Sequence, residues 1–200
     1  MSEKRGTLIV VSGSSGVGKS TVISQMLENR KDIYFSISFT TRAPRPGEVD
    51  GVDYHFVDRV EFEERIARDE FLEHAEYVGN YYGTSMKVIE ENLAQGIDVL
   101  LDIEVQGAAK VKQRCPEAVM IFILPPSFEE LARRLRERRT DSPEKIAGRL
   151  EKARQECGQV PIYDYIVVND EVSNAVDEIL AILVAENCRT KKRLYLTEGL

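Results

Sequence analysis

Histidine is nearly absent from this sequence: His55 and His74 are the two in 200 residues. Two are too few for a histidine-based metal site without carboxylates. Cysteine is almost as scarce. Cys115, Cys157 and Cys188 are far apart and odd in number, which argues against a disulfide framework and against a CxxC metal or redox site. No apolar run approaches the roughly 20 residues that span a bilayer. Met1 to Gly6 is short and polar, so no signal peptide is expected ahead of the first strand. Positive charge is in deficit, with a formal net charge of −7. A nucleic-acid or membrane-surface role has no global electrostatic support, and a phosphate substrate must find its cations locally. A reducing cytoplasm is the expected location.

The balance of 42% hydrophobic and 30% charged residues is that of a globular chain, not a disordered one, and the length suits one domain with a real core. Thr7 to Val11 reads as a strand buried on both faces. Val99 to Ile103, Val119 to Leu124 and Tyr165 to Val168 read the same way. Helices fall between them. One covers Lys19 to Glu28; Ser127 with Glu130 forms a capping box opening a second, and Ser142-Pro143 opens a third. Val172, Ala175, Val176, Ile179, Leu180 and Leu183 mark the last, at i, i+3, i+4 spacing. Strands alternating with helices predict an α/β fold, a parallel sheet with helices on both faces.

Two stretches break this rhythm. Residues 36–83 are rich in Thr, Arg, Pro, Gly, Asp and Tyr, with one short helix at Val60 to Arg68 behind an Asp58–Glu61 cap. This reads as an insert. Residues 133–149 begin with a dense run of arginines and read as a lid. The core is then 1–35, 84–132 and 150–188. Residues 189–200 form a polar tail, read as a solvated end.

Gly13-Ser14-Ser15-Gly16-Val17-Gly18-Lys19-Ser20 matches G-x-x-x-x-G-K-[ST] without a gap. Several backbone N–H groups must meet phosphate oxygens at once, so the loop curls, and glycines allow the close approach. The helix that follows points its N-terminus at the same anion. In this motif Lys19 neutralises the β- and γ-phosphates, and the Ser20 hydroxyl coordinates Mg²⁺. The bland alternative is a Gly/Ser turn, but a strand before and a helix after meet the motif's context test. Asp102 and Glu104 end the second strand as Walker-B-type acids would. Equally, one of them simply caps the helix opening near Val105.

The insert reads Thr41-Arg42-x-x-Arg45-x-x-Glu48-x-x-Gly51-x-x-Tyr54-x-Phe56. It resembles the guanylate kinase signature at every defined position. Glu73, Gly79 to Thr84, Asp102 to Gly107 and Val167 to Asp170 also resemble that family, so the likeness runs from Gly6 to about Arg189. Each residue alone has a bland reading: solvated arginines, half-buried tyrosines, an exposed glutamate. The joint pattern at fixed offsets overturns these.

The resemblance implies a P-loop fold that moves the γ-phosphoryl group of ATP onto GMP, with Mg²⁺. It implies that Gly13, Ser14, Ser15, Gly16, Val17, Gly18, Lys19, Ser20 and Thr21 hold ATP, with Asn169 near the adenine. Arg42, Arg45, Tyr54 and Tyr82 would bind the GMP phosphate. Ser38, Glu73, Thr84 and Glu104 would read the guanine, with Glu48 and Asp102 completing the GMP set. Asp102 would also lie near Mg²⁺, reaching it through water. Arg134, Arg138 and Arg149 match the lid arginines, which with Lys19, Arg42 and Asp102 make up the catalytic group. A homo-oligomer stays open. The chain departs from the pattern at Ser14, Phe39 and Arg139, which bears on pocket width and lid flexibility. Two other readings remain: a P-loop kinase for a sugar bisphosphate, and a non-catalytic guanylate-kinase-like binding module. The first would lack Ser38, Glu73 and Thr84; the second would have a degraded P-loop.

Overall fold

The computed structural model describes residues 5–137 and 142–197. A five-stranded parallel sheet is its centre. Its strands are β1 (Leu8–Gly13), β2 (Ile33–Phe35), β7 (Asp98–Asp102), β8 (Val119–Leu124) and β9 (Tyr165–Val168), in the order β2-β7-β1-β8-β9. Alternation along β1 shows why its sequence is apolar without a break. Ile9 and Val11 face α1 (Lys19–Asn29) and α7 (Val172–Asn187), whereas Leu8 and Val10 face α3 (Met86–Ala94) and α4 (Val105–Arg114). Each face is covered by helices, so every position is inside. The four strands expected from sequence are present, but β9, expected to be buried on both faces, lies at the sheet's edge and exposes Ile166 and Val168. The fifth, β2, has three residues at the sheet's edge and is an addition to them.

The chain leaves β1 toward β2 on one side, and β7 crosses to β8 on the other. The direction reverses at β1, so its carboxyl end opens into a crevice.

The insert holds more than one helix. Besides α2 (Arg59–Ala67) it contains a second sheet, β3 (Phe39–Thr40), β4 (His55–Phe56), β5 (Phe71–Tyr77) and β6 (Asn80–Ser85), in the order β4-β3-β6-β5. Asp58 caps α2 through the Glu61 amide at 2.8 Å, as the sequence indicates. Phe62 stacks on Phe71 with ring centroids 4.5 Å apart, and Phe39 packs edge-on against Phe71. The unusual Phe39 is thus part of the insert's own aromatic core.

The β5–β6 hairpin turns through Val78 (φ 50°) and Gly79 (φ 75°). Two left-handed residues in a two-residue turn call for Asn-Gly, and a β-branched residue there is strained. Val78 is also 80% exposed, so its side chain gains little by packing. Val78→Asn is expected to stabilise the protein by about 1 kcal/mol, a Tm gain of roughly 2–4 °C. Calorimetry checks this; a Tm that stays put or falls would mean that the valine is held by contacts.

Helices α5 (Phe128–Glu137) and α6 (Pro143–Cys157) pack together through Leu131, Leu135 and Ala153. Ser127 accepts from the Glu130 amide at 3.1 Å, one half of the expected capping box. The Glu130 carboxylate is bonded instead to Arg133 and Arg134, which hold it down to about 2. Ser142 caps α6 with Pro143 in its first turn. The opening of the arginine-rich stretch, through Glu137, therefore finishes α5, with Leu135 fully buried.

Most of the described tail is exposed, but it is tethered at Lys192. Lys192, in α8 (Thr190–Arg193), donates to the Thr7 hydroxyl at 2.8 Å. The Thr7 amide donates to Asp98 at 2.7 Å and its hydroxyl to Asn187 at 3.1 Å; Asn187 in turn donates to Asp98 at 3.2 Å. A cluster centred on a buried carboxylate thus ties β1, β7 and α7. Among the described residues no helix is long and apolar enough to cross a membrane.

Candidate active site

The carboxyl end of β1 runs straight into the Gly13–Lys19 loop and then α1. Gly16 and Gly18 adopt φ of 93° and 94°, a conformation that L side chains rarely hold. A Cβ at Gly16 would also meet Leu135 of α5 at 2.6 Å. The Val17 carbonyl accepts from the Asn169 amide at 2.7 Å and from Arg134 at 3.2 Å. Lys19 forms an ion pair with Asp102 at the end of β7, both side chains mostly shielded. The Ser14 hydroxyl is buried with no partner among the described residues. Such a loop, with a lysine and a helix N-terminus, suits a chain of phosphates.

The same cleft, about 1010 Å³, continues from the loop to the insert and is lined by Ser38, Arg42, Arg45, Glu48, Tyr54, Glu73, Tyr82, Asp102 and Glu104. Arg42 is its second cationic centre. Its guanidinium meets Glu48 in a two-pronged pair at 2.9 and 2.8 Å and lies 5.3 Å from the Tyr54 ring centroid. The Tyr82 ring stands edge-on to Tyr54. Burial raises the Tyr54 phenol, so it stays protonated and can donate. Arg45 is exposed, and its amide donates to Glu48 at 2.7 Å. Glu48 is therefore engaged with the loop that carries both arginines. Arg42 holds its carboxyl below the usual range.

Glu73 owes its position to a bulge. Phe71 pairs with Ser85 and Glu73 with Thr84, so the intervening Leu72 is left over. Leu72 goes into the main core, and Glu73 turns to the cleft wall. There it is 6% exposed. Thr84, fully buried, donates to its Oε1 at 2.7 Å. Its Oε2 lies against Gly107, where a Cβ would come within 2.6 Å. Burial pushes the Glu73 carboxyl up, against the smaller pull of Thr84 and Lys110.

A cleft with a phosphate cradle at one end and a braced arginine, two phenols and a buried carboxylate at the other has its counterpart among known proteins. The family model described as guanylate kinase matches residues 5–186. The chain belongs to the guanylate kinase family. It is 57% identical over 190 residues to a guanylate kinase of Thermus thermophilus, covering 95% of this chain and 85% of that one. It is 48% identical to that of Desulfitobacterium hafniense over the full length of both. The crystal structure of guanylate kinase from Anaplasma phagocytophilum superposes with a TM-score of 0.77 at 39% identity, covering 94% of this chain and 89% of that one.

Not every residue that the family pattern singles out lines the cleft. Val17, Thr84, Arg134 and Asn169 are not among its lining residues. Arg134 donates to Glu130, Val17 and Asn169, which anchors α5 to the P-loop. Asn169 is buried, its amide on Val17. Arg149 is half-buried on α6, and Arg138 and Arg139 fall outside the described residues. Asp102 and Glu104 diverge: the first meets Lys19, the second Lys152 at 3.0 Å. Glu104 directly precedes α4 without capping it by its side chain. Sequence reading missed Lys152 and the fit of Gly107 to Glu73. Only the Lys152–Glu156 spacing on one helix could have pointed to the first.

Proposed function

We propose that this chain transfers the γ-phosphoryl group of ATP to GMP, giving ADP and GDP, with the roles set out below. The observation that carries the reading is that Lys19 of the P-loop, Arg42 of the insert and the buried Glu73 line one cleft. The base sits against Glu73: guanine offers N1–H and N2–H₂ donors, and an ionised carboxylate only accepts. Ser38 and Glu104 complete that pocket, with Thr84 holding Glu73. Arg42, Arg45, Tyr54 and Tyr82 hold the GMP phosphate; guanidinium forks suit a dianion.

An oxygen of the GMP phosphate attacks the γ-phosphorus, and the bond from that phosphorus to the β–γ bridging oxygen breaks as ADP leaves. The nucleophile is largely dianionic at neutral pH, its second pKa being about 6, so no general base is required. Catalysis is then positioning and charge neutralisation. Lys19 must leave Asp102 for the phosphates of ATP. Ser20, exposed at the start of α1, and Asp102 offer hard oxygen donors of the kind Mg²⁺ prefers, and would hold it beside the phosphates. When bound, the ion supplies further charge neutralisation. Arg149 on α6, and by the family pattern Arg138, would neutralise phosphate charge from the lid, 133–149. Three free cysteines favour a reducing cytoplasm.

A coupled assay of ADP release across GMP, AMP, CMP, UMP and ribose bisphosphate tests the reading. GMP should be preferred by orders of magnitude; turnover of the sugar bisphosphate instead would overturn it. An intact Lys19 and Ser20 speak against a non-catalytic module, which would bind no ATP in a calorimeter.

Glu48 is expected to act through Arg42. Glu48→Ala should raise KM for GMP about tenfold, the scale of one lost charged hydrogen bond, with kcat and KM for ATP nearly unchanged. Steady-state kinetics decide; an unmoved KM for GMP would mean that Arg42 needs no brace. GMP and a non-hydrolysable ATP analogue together should contract the molecule as insert and lid close. Small-angle scattering with an unchanged radius of gyration would count against closure.

A further inference from the structure

Lys152 joins three parts of the molecule that are distant in sequence. It stands on α6, the helix that also carries Arg149. Its ammonium is 3.0 Å from Glu104 at the β7–α4 junction, 3.3 Å from Glu156 one turn along its own helix, and 4.4 Å from the centre of the Tyr77 ring in the insert. Glu156 is buried, and its Oε2 has no partner among the described residues. Lys152 thus brings a cation to this acidic wall of the cleft, held by a carboxylate from each side with an aromatic face beneath.

We propose that Lys152 is a positioning residue that couples the guanine pocket to the lid helix. It engages one oxygen of Glu104, which fixes the carboxylate and leaves the other oxygen for the base. Because the same ammonium is fixed to α6, an ordered Glu104 favours one placement of α6, and with it of Arg149. GMP entering the pocket then prepares the lid for ATP, and by linkage ATP tightens GMP by the same factor. The inference rests on the assignment of Glu104 to the guanine pocket.

The test uses Lys152→Met, Lys152→Arg and Glu104→Gln in the full chain. GMP affinity is measured by calorimetry with and without a non-hydrolysable ATP analogue, alongside steady-state kinetics. For Lys152→Met, KM for GMP should rise about tenfold with kcat changed far less, and the mutual tightening of the two nucleotides should fall toward one. ATP affinity alone should not move, and Lys152→Arg should restore most of both effects. If Glu104→Gln weakens GMP while Lys152→Met leaves KM and coupling intact, the coupling role is overturned and the guanine pocket stands. If Glu104→Gln leaves GMP affinity unchanged, the pocket assignment fails and the coupling role with it. A lower Tm with equal loss of both nucleotides, unrescued by arginine, would make Lys152 merely structural and overturn the proposal.

Discussion

Lys19→Met is expected to lower kcat by roughly 10³-fold or more, in the range that a lost transition-state cation costs phosphoryl-transfer enzymes. Methionine keeps the length and apolar stem of lysine, so the loop should retain its shape. What goes is the charge on the β- and γ-phosphates. A second effect adds to the first. Asp102 loses its ion-pair partner, with only 24% of its side chain exposed. In the ligand-free variant it stands as an unpaired anion, so Lys19→Met should also lower the Tm, and Lys19→Met with Asp102→Asn should recover part of that loss without recovering turnover. Thermal melts establish that each variant is folded, and stopped-time assays of ADP measure the rate. Near-normal turnover by the folded single variant would remove Lys19 from the mechanism.

Glu73→Gln is expected to lower kcat/KM for GMP by about ten- to a hundred-fold, since a hydrogen bond to a charged group is worth about 1.5–3 kcal/mol. Glutamine offers one acceptor and one NH₂ group, so one guanine donor loses its partner. Adenine differs: its N1 accepts and its N6 donates. An amide complements that edge, whereas a carboxylate repels the N1 lone pair. The GMP/AMP ratio should thus fall by more than the GMP loss alone, while ATP affinity stays put. The raised carboxyl supplies a second readout. An acid whose folded pKa lies above its unfolded value loses stability as pH rises from the unfolded value through the folded one. Above that window the wild type carries the cost of a buried charge, and the glutamine variant does not. Without ligand, the variant should melt at a higher temperature above that window. GMP affinity of the wild type should fall as pH drops through the same window, because the protonated acid is a poorer double acceptor. An unchanged GMP/AMP ratio would show that Glu73 does not read the base.

Features written in neighbouring residues were legible in the sequence. Gly13 to Ser20 is a contiguous motif, four strands of the parallel sheet are apolar runs, and α7 has a clear stripe. The small sheet was not legible, because β3 and β4 have two residues each and no periodicity. The Leu72 bulge was hidden for a related reason: it shifts a strand's facing by one residue, and only the partner strand reveals it. Glu130 could be read as a capping acid by spacing, but two arginines on its own helix compete for it. Side-chain pairs such as Glu104–Lys152, 48 residues apart, leave no local trace. Glu48 was placed in the GMP set because it recurs in a signature; its geometry makes it the partner of an arginine in that signature.

The cluster around Asp98 bears on the order in which the chain can mature. Thr7 bonds Asn187 across 180 residues, and the face of the central sheet beside them is closed by α7. β1 leaves a ribosome long before α7 does. Until α7 emerges, Ile9, Val11, Ile121 and Ile123 have only part of their cover, even when β1, β7 and β8 have already paired. Synthesis therefore passes through a stage with a sticky half-built sheet, and the last turn of α7 acts as a clasp that ends it.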